Sequence, residues 1–314
     1  MCLINNLKKF SMKKINLFSI LVVALMFVGF SFSSCSKDDN SGGSNNGKTD
    51  PSTIATANLI AYWGFENTPK DAIGQRGTAT SAVKYVTGRR GQAFQGADNA
   101  YISFDLPATD RLATLKEFTV AMWIKAPKIP AGKGIPCFFQ LSGNGWEGAL
   151  GVWQDNVDDN SADSIKLAGQ FGKKGVPWQG QWWNKSNPSI TADKWIHFAI
   201  NYSSATSTAT LYVNGGAFKY ITTSAYDLTT RFQSDPGDAN NINGAQKLGD
   251  LLLPLRDSNN KGIIGYWALK AFYGGADDWQ GFYSGLMDEL RVYDKALSDQ
   301  EVKALYDAEV TQVN

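Results

Sequence analysis

Short apolar or alternating runs, each closed by Gly, Asn, Asp or Pro, recur from Leu59 to Tyr293, and almost nothing between them has the 3.6-residue period of a helix. The runs are Leu59–Phe65, Phe118–Lys125, Ile165–Phe171, Lys194–Tyr202, Ala209–Val213, Tyr266–Tyr273 and Gly285–Tyr293. In Phe118–Lys125 the large residues Phe118, Val120, Met122 and Ile124 alternate with Thr119, Ala121 and Trp123, the period-2 pattern of a strand. Leu211-Tyr212-Val213-Asn214-Gly215-Gly216 predicts a hairpin, because Asn-Gly accepts the positive φ angles of a type I′ turn. Many short strands joined by glycine-rich turns give an all-β sandwich or barrel. One helix is predicted, at the C-terminus: Ser298 caps it, Glu301 follows three residues later, and Val302, Leu305 and Tyr306 form its apolar stripe.

Ahead of this region lies a segment of another kind. Met12-Lys13-Lys14 is basic and has the form of a start. Leu17–Phe30 is apolar, Ser31-Phe32-Ser33-Ser34 is mostly small, and Cys35 is followed by the polar Ser36-Lys37-Asp38-Asp39. Charged, apolar and cleavable regions in this order make a secretory signal. With a cysteine directly after the cleavage point, the segment resembles a bacterial lipoprotein signal, which implies cleavage after Ser34 and acylation of the Cys35 thiol. The alternative is an uncleaved membrane anchor, since the apolar run approaches the ~20 residues that span a bilayer. Lys37-Asp38-Asp39 resembles the export tag of surface-exposed lipoproteins of Bacteroidota-type bacteria. Three regions are therefore expected: a signal over 1–34, a lipidated flexible stalk over 35–56 rich in Ser, Gly and Asn, and a folded domain over 57–314.

Composition excludes several function classes. Lys and Arg total 30 against 29 Asp and Glu, so the chain has no basic field for nucleic acid. Once Cys2 and Cys35 are assigned to the signal, Cys137 is alone and reads as a buried thiol that cannot pair within the domain. His197 is the single histidine and lies in a predicted strand, which leaves no His-rich zinc site and makes a triad histidine less fitting than one packed on a sheet face.

In order along the chain stand Tyr62-Trp63-Gly64-Phe65-Glu66, Asp71-Ala72-Ile73-Gly74, Gly91-Gln92-Ala93-Phe94, Phe118–Ile124, Lys194–Ala199, Leu211–Gly215 and Gly285-Leu286-Met287-Asp288-Glu289-Leu290-Arg291-Val292-Tyr293. Together they resemble the laminin-G-like, concanavalin A-like lectin/glucanase jelly-roll domains of bacterial surface proteins. The resemblance implies a sandwich of two antiparallel sheets. It also implies a structural calcium at Glu66, Asp71 and Asp288, against which stands the plainer reading that Asp288 orders a turn. It further implies residence at the outer membrane surface beside glycan-uptake proteins.

Tryptophan is the functional signal. Of ten, Trp63, Trp123 and Trp195 fall in predicted strands, whereas Trp146, Trp178, Trp182, Trp183 and Trp279 fall in predicted loops. An indole offers a sugar's C–H face a flat apolar surface, and neighbouring amides meet its hydroxyls. Trp178, Gln179, Gln181, Trp182, Trp183, Asn184 and Trp279 are thus the candidate ligand-binding residues for a polysaccharide or glycoconjugate. The competing possibility is that the loops bury these rings as a second core. A protein-binding adhesion module is the rival function. A glycoside hydrolase is a third, for which Glu147 and Asp155 are the one carboxylate pair to consider.

Overall fold

The computed structural model describes residues 50–155, 163–175, 181–183, 190–218, 248–275 and 277–310, with 181–183 and 218 given by their backbone. The signal, Cys35 and most of the expected stalk lie outside these residues, as do Trp178, Gln179 and Asn184. Among the described residues no helix is long and apolar enough to cross a membrane.

In chain order the strands are β1 (Leu59–Trp63), β2 (Thr78–Ala79), β3 (Lys84–Thr87), β4 (Gln92–Gln95), β5 (Ile102–Asp105), β6 (Phe118–Lys125), β7 (Ile135–Leu141), β8 (Leu150–Asp155), β9 (Ser164–Phe171), β10 (Gln181–Trp183), β11 (Ile190–Thr191), β12 (Trp195–Ser203), β13 (Thr208–Val213), β14 (Gly216–Phe218), β15 (Lys261–Ile264), β16 (Gln280–Gly281) and β17 (Leu286–Tyr293). Two helices are described, α1 (Ala268–Phe272) and α2 (Asp299–Val310). The first sheet runs β14-β13-β12-β6-β17-β4-β3, with β1 also on β17. The second runs β10-β9-β8-β7-β15-β5-β2, with β11 on β9 and β16 on β7. Apart from the β16–β7 contact, every strand pair is antiparallel. This is the expected jelly-roll.

The core lies between the sheets. Phe118, Val120, Met122 and Ile124 of β6 meet Phe138, Phe139 and Leu141 of β7 and Val152 of β8 there. The alternate residues of β6 are buried as well, because α2 covers the outer face of the first sheet: Val302, Leu305 and Ala308 pack on Ala121, Ala199, Tyr212 and Tyr293. The helix starts where its capping box dictates. Glu301 N donates to Ser298 Oγ at 3.2 Å, and Ser298 N donates back to Glu301 Oε2 at 2.8 Å. The β13–β14 hairpin turns at Asn214 (φ 50°) and Gly215 (φ 75°), as Asn-Gly predicts.

Two expectations need correction. The stalk does not extend to residue 56: Asp50 caps a 3-10 turn over Pro51–Thr53, and Pro51 and Ile54 are buried, Ile54 against the α2 layer. Burial of one proline and one isoleucine is enough to draw this stretch into the fold. Tyr266–Tyr273 is not a strand either. Gly265 (φ 88°) ends β15, and Ala268-Leu269-Lys270-Ala271, all good helix formers, continues as α1.

Candidate functional site

The outer face of the second sheet carries a nest of four indoles. Strand β8 supplies Trp153, whose register partners are Cys137 on β7 and Ala168 on β9. The β7–β8 loop supplies Trp146, the residue before α1 is Trp267, and the residue before β16 is Trp279. Trp279 stands edge-on to Trp146 (5.0 Å between centroids, 88°) and to Trp267 (5.1 Å, 74°). Trp146 in turn meets Trp153 and Trp267, each at 6.0 Å. Edge-to-face contacts at these separations are the favoured arrangement for π systems.

Hydrogen bonds fix the nest from beneath. Trp267 Nε1 donates to Ile135 O at 2.7 Å, and Ile135 N donates to Trp279 O at 2.6 Å. The buried Gln140 amide ties both supporting segments: its Nε2 donates to Trp146 O at 2.7 Å, and its Oε1 accepts from Ala268 N at 2.8 Å. Trp267 is fully buried, Trp153 is 3 % exposed, and Trp146 is half-buried. Trp279 is 37 % exposed, the one exposed tryptophan among the described residues. The register sets Gln181, Gln170, Gly151 and Gln140 in one row across β10, β9, β8 and β7. Gln140, Gln170 and Gln280 are buried, so what this face offers a ligand among the described residues is the exposed indole of Trp279 on its rigid base, which can receive the C–H face of a ring.

The candidate residues divide accordingly. Trp279 is in the nest, and Trp146 joins it. Trp182 and Trp183 fall in β10, where Trp183 pairs with Ala168, itself the partner of Trp153. Trp153 and Trp267 escaped sequence reasoning. Each lies in an apolar run that reads equally well as core, and only the pairing of β8 with β9 and the turn into α1 reveal their shared face.

Of the carboxylate pair, Glu147 lies in the β7–β8 loop with its carboxylate folded back on Gly145, and Asp155 ends β8. Asp155 lies 3.6 Å from Lys166. The three residues implied for calcium do not make one donor set. Buried Asp71 accepts from the N–H groups of Ile73, Gly74 and Arg76 at 2.6–2.9 Å and pairs with the Arg76 guanidinium at 3.1 Å. A cation already occupies its side. Glu66 and Asp288 instead hold the β3–β4 turn, accepting from Gln92 N and Arg90 N. Among the described residues no three His, Cys, Asp or Glu side chains converge. Burial pushes the Asp288 carboxyl up to about 8.

Cys137 is fully buried, and burial pushes its thiol up, which makes it inert as a nucleophile. His197 is likewise enclosed, between β12 and α2.

Residues 96–246 match the family described as the concanavalin A-like lectin/glucanases superfamily. No curated protein matches the chain significantly. Among solved structures the chain is similar to domain 4 of AbnA, an extracellular arabinanase of Geobacillus stearothermophilus solved with arabinotriose, at 18 % identity and a TM-score of 0.47, covering 79 % of this chain and 98 % of that one. It is similar to the binding domain of Paraclostridial Mosquitocidal Protein 1 at 18 % identity and a TM-score of 0.51, covering 80 % and 52 %. It is also similar to the ligand-binding domain of botulinum neurotoxin serotype D, solved with N-acetylneuraminic acid, at 12 % identity and a TM-score of 0.51, covering 82 % and 52 %. The chain spans about half the length of these last two.

Proposed function

We propose that the chain is a glycan-binding module whose platform is Trp279 on its nest of indoles; the match of residues 96–246 to the concanavalin A-like lectin/glucanases superfamily supports this reading. The observation that carries this reading is that Trp279 is 37 % exposed while the rings of Trp146 and Trp267 meet it edge-on and its backbone carbonyl accepts from Ile135 N. Exposed apolar area on a rigid base is what a binding surface needs, because the side chain has little freedom left to lose on association. The fold is also that of a domain solved with a sugar, N-acetylneuraminic acid. Binding proceeds by stacking on the indole, with no bond broken.

The protein is anchored by lipid on Cys35 at the outer membrane surface, beside glycan-uptake proteins. The ordering of charged, apolar and polar segments around Cys35 supports this.

A glycan array with the purified protein tests the binding reading. Retention of a defined glycan set, weakened at least about tenfold in Trp279→Ala with an unchanged melting temperature, is expected. Binding of a protein partner with no glycan retained would overturn it. Labelled palmitate fed to expressing cells should mark the wild-type protein and not Cys35→Ser; equal labelling of both would remove the anchor.

A further inference from the structure

Where the chain leaves β6 of the first sheet and crosses to β7 of the second, the β6–β7 loop borders a cavity of about 60 Å³. Its walls are mostly apolar and stiff. Pro127, Ile129 and Pro130 of the loop line it together with Pro136 of β7 and Phe282, which follows β16. The Phe282 ring is held by stacking on Tyr266 at 3.8 Å and 14°, and each proline has a fixed φ. Polar groups are few. Buried Gln154 Nε2 donates to Pro127 O at 2.9 Å and ties the loop to β8, while Ser284 is exposed at the rim. Lys128 and Lys133 also border the cavity, Lys133 paired with Asp98 at 2.8 Å.

This cavity adjoins the platform through the backbone. Gly134 lines it, and a Cβ at Gly134 would lie 2.4 Å from Trp279 O and 2.7 Å from Gly281 N. Glycine at 134 thus lets the Trp279–Gly281 segment lie directly against the loop, where Ile135 N donates to Trp279 O at 2.6 Å. Phe282 stands three residues after Trp279, about 10 Å of extended chain. A glycan of more than one ring stacked on Trp279 is long enough to bring a substituent to the cavity.

Resting on the glycan-binding reading, we infer that this cavity receives an acetyl substituent of the bound sugar, carried on nitrogen or on oxygen. A water-sized group takes about 10–15 Å³ of such space, so the cavity admits about four heavy atoms, the count of an acetyl group with its linking atom. The methyl is buried against Pro127, Pro130 and Phe282, and the carbonyl oxygen accepts from the Ser284 hydroxyl at the rim. Apolar walls with a few polar groups to fix orientation are the make-up of a small-ligand site. A bare hydroxyl in the same place leaves the apolar walls uncovered, and a longer acyl chain overfills the space.

The test is an array carrying one oligosaccharide backbone in unsubstituted, N-acetylated, O-acetylated and N-butyrylated forms. At least one acetylated form should bind about fourfold or more tightly than the unsubstituted one, as burial of one methyl implies, and the form preferred tells which linkage the cavity takes. The N-butyrylated form should bind more weakly than the N-acetylated one. Ser284→Phe, which fills the mouth from an exposed position, should abolish the preference and leave binding of the unsubstituted form unchanged; Ile129→Trp, from the loop, should do the same. Equal binding of all forms by the wild-type protein, or a preference that persists in both variants, overturns the inference and leaves the platform standing. An acetyl preference lost in the two variants but unaltered in Trp279→Ala leaves the cavity standing and overturns the platform.

Discussion

His197 shows how much one residue's surroundings decide. Its ring is 1 % exposed, edge-on to Trp123 at 5.4 Å and 6.0 Å from Tyr306, and neither ring nitrogen has a hydrogen-bond partner among the described residues. Burial, with the Arg291 charge adding to it, pushes the imidazole down to about 3. The folded chain therefore holds this histidine neutral where the unfolded chain, near 6.5, protonates it. The stability this contributes is complete above pH 6.5 and is lost as pH falls from there toward 3, by up to about 1.4 kcal/mol per pH unit. Asp288 slopes the other way: raised to about 8, it contributes stability below its unfolded value that is lost as pH rises to 8. The wild-type curve alone mixes the two, and comparison with His197→Phe isolates the histidine. Phenylalanine keeps the ring contacts and has no proton to take, so the variant should match wild type at pH 7.5 and exceed its melting temperature at pH 5. Parallel curves for the two proteins would contradict this assignment. The sequence announced His197 as a sheet-face residue, because its strand pattern is plain. It did not announce the neighbours that empty it of charge, since Tyr306 and Arg291 lie more than ninety positions away in the chain.

Among the elements, α2 is held by more than its apolar stripe. Glu309, fully buried, accepts from Trp123 Nε1 at 2.6 Å and pairs with Arg291. Arg291 also pairs with Glu289, which in turn meets Arg90 at 2.7 Å and the Tyr62 hydroxyl at 2.8 Å. The Arg291 guanidinium lies 4.4 Å over the Tyr62 ring. Removing one member of such a network leaves a buried charge short of a partner. Glu309→Ala should cost about 3–5 kcal/mol in urea unfolding, with the loss concentrated in α2 and the strands beneath it. Glu309→Gln, which can still accept from Trp123, should cost less. A loss under about 1 kcal/mol for Glu309→Ala would show that the apolar stripe alone holds the helix. Elements with local chemistry were readable from the sequence: the Ser298–Glu301 box and the Asn214-Gly215 turn act within a few residues of themselves. Helix α1 was not, because Tyr266–Tyr273 is a short apolar run whose period fits a strand as well as a helix, and Gly265 decides between them only once its φ is known.

At the scale of the whole molecule, the two outer faces of the sandwich do different work. One is closed by α2 and the turn at Pro51–Thr53, so the chain enters the fold on that side. The other carries the nest. The two-sheet architecture was legible because strand period and turn chemistry are repeated along the chain. The site was half legible: an unusual number of tryptophans outside obvious strands marks it, and Trp279 and Trp146 belong to it. Their meeting with Trp153 and Trp267 depends on the order β9-β8-β7-β15, which no local pattern specifies.

The central claim is that glycan contacts the protein at Trp279. Its most direct measurement is a titration of indole-15N-labelled protein with a glycan retained on the array, read at the indole N–H signals. Progressive, saturable shifts are expected at Trp279 and Trp146, with Trp63 and Trp123, buried on or beneath the other sheet, unmoved. Saturable binding with the Trp279 signal unchanged would contradict it.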